Sequence, residues 1–226
     1  MAQPSKQEKR WDAGENEASK WRTFYEEIKS TMLDKPLEGY RVAILATNGF
    51  EEAELVEPRK ALESAGAKTT VVAPDGGTVQ GMNHSEKGQQ VKVDRKLIDA
   101  NPDDFDAVLL PGGVANADNL RMNSDAQQFV IALDAARKPV AVICHGPWLL
   151  ISAGLTKGRH LTSYHTLQDD VRNAGAKWSD EEVVRDANWV SSRKPADIAA
   201  FNKEMIELFF ERSQRLKTRK RAASGR

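Results

Sequence analysis

Short apolar runs that alternate with helix-like segments constrain this chain more than any other feature. "RVAILAT" (41–47), "KTTVVAP" (68–74), "DAVLLPGG" (106–113) and "PVAVIC" (139–144) each hold a continuous apolar core. A strand with no polar face must be covered on both sides, which is the signature of a parallel sheet between helices. The covering helices are legible between the runs. "NGFEEAELVEPRKALESAG" is closed by Gly66, "DAQQFVIALDAARK" follows the third run, and "GPWLLISAG" follows the fourth. "GTVQGMNHSEKGQQVKVD" reads as a hairpin with turn signals at Gly81 and Gly88, and "EEVVRDANWVSS" as a second strand pair. "HLTSY" reads as a further strand and "QDDVRNAG" as a short helix. In "PADIAAFNKEMIELFFERS", Ile198, Phe201, Met205, Leu208 and Phe209 share one helical face. The expected class is α/β: a mostly parallel sheet with helices on both faces, a three-layer sandwich.

The ends of the chain read differently. Residues 1–39 are an extension, polar as far as about residue 18, in which Trp21, Phe24, Tyr25, Ile28 and Met32 mark an amphipathic helix. Residues 40–211 hold the α/β pattern, and 212–226 form a tail with seven basic residues and no acid, read as solvated. Across the 226 residues, Lys plus Arg and Asp plus Glu both total 33, so charge gives no reason to expect a nucleic-acid partner. No apolar run approaches the ~20 residues of a membrane span, and the N-terminus lacks a signal-peptide core. A single cysteine excludes an intramolecular disulfide and suits a reducing compartment. The expectation is a soluble cytoplasmic protein without membrane or nucleic-acid partners.

Ligands of an open parallel sheet gather at the carboxyl ends of its strands, and three strands here end in reactive groups. The fourth ends at Cys144, the only cysteine, followed by His145, Gly146 and Pro147. A sharp strand-to-helix turn would project the thiol off the sheet, and a helix N-terminus would lower its pKa. A lone cysteine is otherwise a small buried hydrophobe. Gly112 and Gly113 end the third strand, and their amides with that of His145 would form an oxyanion hole, or else the glycines simply make a turn. Glu51, Glu52 and Glu54 open the first helix, where acids are common. At least one of them should face Cys144, with a raised pKa, as a proton donor. His145 is a base, an acid or a helix cap. His84, His160 and His165 show no metal-ligand spacing, and His165 with Asp169 is better explained as a surface helix face than as zinc ligands. Neither metal nor cofactor is implied.

"VLLPGG", "AVICHGPWLLISAGLTKGRHLTSY" and "NWVSSRKPADIAAF" together closely resemble the PfpI family of the class I glutamine amidotransferase-like superfamily, which includes the parkinsonism-associated deglycase. The resemblance covers about residues 40–210. It implies a flavodoxin-like sandwich with a cysteine nucleophile at an elbow and a homo-oligomer, commonly a dimer or a hexamer built from dimers. The family's cysteine falls on Cys144, its histidine on His145, its sulfur-contacting glutamate on Glu54 and its glycine amide on Gly113. The acid that PfpI-type members take from a neighbouring subunit falls on Asp118. The implied activity is that of a stress-response hydrolase, repairing or detoxifying methylglyoxal and glyoxal adducts. A peptidase of short peptides and a non-enzymatic redox sensor or holding chaperone are the alternatives. The implied substrates are therefore a small aldehyde adduct or a short peptide.

Overall fold

The computed structural model describes residues 35–224; the expected helix around Trp21 to Met32 lies outside them. Its centre is a seven-stranded sheet. Strands β1 (Arg41–Leu45), β3 (Lys68–Ala73), β7 (Ala107–Leu110), β8 (Val140–Ile143) and β12 (Trp189–Ser192) are joined at the edges by β6 (Arg95–Lys96) and β11 (Val183–Asp186). The order is β11-β12-β8-β7-β1-β3-β6. Every pairing is parallel except β11 with β12, a hairpin turning through Ala187. A smaller sheet joins β2 (Phe50–Glu51) to the hairpin of β4 (Thr78–Asn83) and β5 (Glu86–Lys92).

The continuous apolar runs resolve into a strict alternation between two cores. Val42, Ile44, Ala107, Leu109, Ala141 and Ile143 face one cluster; Ala43, Leu45, Val108, Leu110, Val140 and Val142 face the other. The first core is closed by α1 (Glu52–Ser64) and the C-terminal helix α6 (Ile198–Ser224). The second is closed by α2 (Val114–Met122), α3 (Ser124–Ala135) and α4 (Pro147–Ser152). The expected three-layer sandwich is what the chain forms. Phe201, Met205, Leu208 and Phe209 are fully buried and Ile198 packs beside them, as the helical spacing predicts. Each such side chain contributes about 1.5–3 kcal/mol of burial.

Four boundaries differ from the sequence reading. Leu37 and Tyr40 are core residues, with Leu37 N–H donating to the Ala65 carbonyl at 2.8 Å, so the domain begins before residue 40. Helix α6 does not stop at 211 but continues through the basic stretch to Ser224. The hairpin of β4 and β5 turns at His84 and Ser85, not at its glycines, and His84 takes a positive φ of 56°. Gly81 and Gly88 lie inside the strands. The expected strand at 160–164 shrinks to β9 (His160–Leu161), which pairs with β10 (Lys177–Trp178) beside the short helix α5 (Gln168–Asn173).

Candidate active site

The site forms where β8 breaks the alternation. By period two, Cys144 should share a face with Val140 and Val142. It instead joins Ile143 in the opposite core, because its φ is +61°, a left-handed conformation that β-carbon-bearing residues rarely adopt. The surroundings hold it there. Cys144 N–H donates to the Ser192 carbonyl at 3.1 Å, its carbonyl accepts from Tyr164 N–H at 2.9 Å, and Gly146 N–H donates to the Ile143 carbonyl at 3.0 Å. Pro147 then starts α4 at the position where a missing N–H costs nothing. This is the expected elbow.

Glu54, in the first turn of α1, is fully buried beneath the sulfur. Its Oε2 accepts a 2.9 Å hydrogen bond from Gly112 N–H, and among the described residues no donor is aligned on Oε1. Burial pushes its pKa up to about 8, against the pull of the Cys144 thiol and the Gly112 amide. Its carboxyl therefore keeps a proton at neutral pH. Glu51 lies at the mouth of the site and Glu52 accepts from Gln89 N–H on the hairpin, so of the three acids only Glu54 is seated as a proton donor.

Burial also pushes the Cys144 thiol up, and the Glu54 carboxylate adds to this. The amides of Gly113 and His145 pull it down, but by less. The expected depression of the thiol pKa is thus corrected. A six-residue helix offers too little to offset removal from water, and two acids in contact share at most one negative charge. The expected oxyanion hole is corrected too, since the Gly112 amide is held by Glu54, leaving those of Gly113 and His145 facing the sulfur.

Only glycine fits at 112 and 113. A methyl on Gly112 would sit 2.5 Å from Glu54 Oε2 and 2.6 Å from Cys144 Cβ. Gly113, at φ +86°, would bring one within 2.7 Å of Glu51 N. The sequence does not reveal the residue that holds this loop. Buried Asn116 donates from Nδ2 to the carbonyls of Pro111 (3.0 Å) and Gly112 (2.9 Å), and its Oδ1 accepts from Thr47 N–H at 2.7 Å. A lone "N" in a helix gives no signal of such a role; it is visible only once β1 and β7 are neighbours.

His145 is neither a cap nor turned from the sulfur, as the sharp turn would suggest. Its Nδ1 lies 3.1 Å from Cys144 Sγ, and its ring is buried against Tyr164, stacked at 4.9 Å, and edge-on to Trp148 at 5.3 Å. Burial and nearby His165 lower its pKa to about 4, so the imidazole is neutral, a weak base that can accept a hydrogen bond from the thiol. Asp118 stands apart. It is in the middle of α2 rather than on a loop, exposed, and forms no hydrogen bond or ion pair among the described residues. Among those residues no group of three or more His, Cys, Asp or Glu side chains could hold a metal. Cys144, Glu54, His145 and Gly113 line one open cleft of about 950 Å³, with Tyr164 on its wall.

Fold and elbow define an α/β protein with a cysteine at the carboxyl edge of a parallel sheet, paired with a buried acid. Residues 40–208 match the DJ-1/PfpI family, and the chain belongs to that family. It is 43% identical over 168 residues to Deglycase PfpI of Pyrococcus furiosus, covering 74% of this chain and 98% of that protein. It is 42% identical over 172 residues to General stress protein 18 of Bacillus subtilis, covering 75% and 98%. A two-domain protein from Anabaena variabilis with DJ-1/ThiJ/PfpI-like and ferritin-like domains matches with a TM-score of 0.71 at 32% identity, over 74% of this chain and 47% of that one. The resemblance read from the "LPGG" and "CHGP" motifs is borne out, and with it the flavodoxin-like fold and an enzyme of the cysteine-hydrolase type.

Proposed function

We propose that the protein removes adducts of methylglyoxal and glyoxal from amines and thiols, with Cys144 as nucleophile. The observation that carries this reading is the buried pair of an elbow thiol and a carboxyl that stays protonated at neutral pH. Such a pair suits a reaction that needs a nucleophile and a proton shuttle but no strong base. His145 Nδ1, 3.1 Å away, takes the thiol proton as the sulfur attacks the carbinol carbon of the adduct. The S–C bond forms, the C–N or C–S bond to the carrier breaks, and the proton passes to the leaving amine or thiol. A hemithioacetal on Cys144 remains. Moving a hydrogen from its C1 to C2 through the enediol oxidises C1 and reduces C2, giving a hydroxyacyl thioester. Glu54 gives its proton to the C2 oxygen, and the resulting carboxylate takes the C1 hydrogen, delivers it to C2 and recovers its own proton from the C1 hydroxyl. Water then releases the 2-hydroxy acid and restores the thiol, so the net reaction consumes one water and no external oxidant. The names of its relatives, a deglycase among them, support the class of reaction.

The test offers a methylglyoxal-treated amine, a methylglyoxal-treated thiol and a panel of short peptides to wild type and Cys144→Ala. The expected result is 2-hydroxy acid and free carrier from wild type alone, with the peptides intact. Peptide cleavage without hydroxy acid would favour the peptidase alternative. A stable oxidised sulfur with no turnover would favour the sensor.

A further inference from the structure

At its mouth the cleft carries two groups that the chemistry above leaves unused. Lys194 and His84 both line it, both are exposed, and neither side chain makes a hydrogen bond or ion pair among the described residues. Each is anchored close to the reacting centre from a different flank. Lys194 lies two residues past Ser192, whose carbonyl holds the Cys144 amide, on the loop that leaves β12 next to β8. His84 is the hairpin turn, and its backbone N–H donates to Glu51 Oε2 at 3.2 Å. Glu51 N–H in turn meets the Gly112 carbonyl at 3.4 Å. The hairpin is pinned further by Glu52 Oε2, which accepts from Gln89 N–H at 2.5 Å, and by Asn48 Oδ1, which accepts from Gln80 N–H at 2.8 Å. In the sheet order β12-β8-β7-β1, Cys144 and Gly113 therefore sit between the two flanks. The neighbouring Arg193 differs, being held by Asp180 at 2.7 Å and Asp197 at 2.8 Å. The remaining charged group at the mouth, Glu51, is engaged by the His84 amide.

We infer that this mouth recognises a carboxylate on the carrier of the adduct, Lys194 supplying the charge and His84 an N–H donor. The preferred substrates are then adducts of small molecules with a free acid group rather than neutral ones. This rests on the function proposed above for its substrate, but the recognition itself is testable without turnover. Cys144 is the only cysteine, so alkylation reports on this cleft alone. Iodoacetate and iodoacetamide differ by one negative charge; in both reactions the S–C bond forms, iodide leaves with the bonding pair, and the thiol proton goes to solvent.

The experiment measures second-order rates of both reagents on the full chain, as wild type, Lys194→Gln and His84→Ala. The iodoacetamide rate corrects for sulfur reactivity in each protein. The iodoacetate-to-iodoacetamide ratio should fall about fivefold in Lys194→Gln, the size of one unit-charge contact in water. It should fall about threefold in His84→Ala, the size of one net hydrogen bond, and in wild type it should drop as salt is raised. Ratios unchanged by both substitutions, or a wild-type ratio insensitive to salt, would overturn the inference. Turnover separates this from the function itself. With methylglyoxal adducts of N-acetylcysteine and of its neutral amide, wild type should favour the acid in kcat/KM, and Lys194→Gln should lose that preference. Equal use of both adducts by wild type overturns the carboxylate site and leaves the function standing. Turnover of neither removes the function, while the alkylation ratio still decides the site.

Discussion

Cys144 and Glu54 form a unit whose protons belong to both. Both are removed from water, and an ionised Glu54 raises the cost of ionising Cys144, so the resting pair is uncharged near neutrality. The alkylation rate of Cys144 should therefore climb with pH through and beyond the ~8.5 of a free cysteine. A plateau below that value, read from iodoacetamide rates between about pH 5 and 10, would mean that the amides of Gly113 and His145 dominate after all. His145 acts at the same scale. Because its imidazole stays neutral down to about pH 4, His145→Ala should slow turnover while leaving the acid limb of the pH profile, around the ordinary histidine value of 6.5, little changed. A lost inflection near that value would show instead that the ring titrates in solution.

At the scale of elements, the strands, the helices and the elbow are legible because each depends on local pattern: period two, period 3.6, and a thiol before Gly-Pro. What sequence does not supply is set by close approach between distant segments. The hairpin turn falls at His84 rather than at a glycine because Gly81 is required elsewhere, where a methyl would lie 2.9 Å from the Phe50 ring. The Gly112 amide cannot be assigned to Glu54 until β1 and β7 are known to be adjacent. The thiol pKa escapes a sequence reading because a helix start is visible in sequence and depth of burial is not. Gly112→Ala tests this packing. Its methyl would push Glu54 and Cys144 apart, so turnover should fall by roughly 100-fold, the lower end of what a displaced proton-transfer group costs. The fold should survive, losing about 1–3 kcal/mol to overpacking by chemical denaturation. Undiminished turnover would show that the loop relaxes freely.

For the whole molecule, the buried acid links stability to pH. The folded chain holds a proton on Glu54 between the ordinary value of 4.5 and about 8, where the unfolded chain has released it. This contribution is full below about 4.5 and is lost as pH rises through about 8. Glu54→Gln should therefore flatten the decline in melting temperature over that window, and an identical decline in both proteins would contradict the raised pKa. Assembly is the other property of this scale. Val114, Asp118 and Met122 recur at i, i+4 and i+8 on α2, with Val114 56% and Met122 80% exposed. We propose that this face meets a second copy and that Asp118 reaches the partner's site. Mixed Cys144→Ser and Asp118→Ala proteins should then regain part of the activity that each lacks, and an Asp118→Ala enzyme as active as wild type at every concentration would oppose it.

The proposed reaction requires Glu54 to move the proton for a Cys144-bound intermediate. The most direct measurement compares Glu54→Gln with wild type in two assays, hydroxy-acid release from a methylglyoxal adduct and alkylation of Cys144 by iodoacetamide. The substituted side chain keeps an acceptor for the Gly112 amide but carries no acid proton to transfer. Turnover should fall by about 10²–10⁴-fold while alkylation remains as fast as in wild type or faster. Turnover within a few-fold of wild type would contradict that role for Glu54.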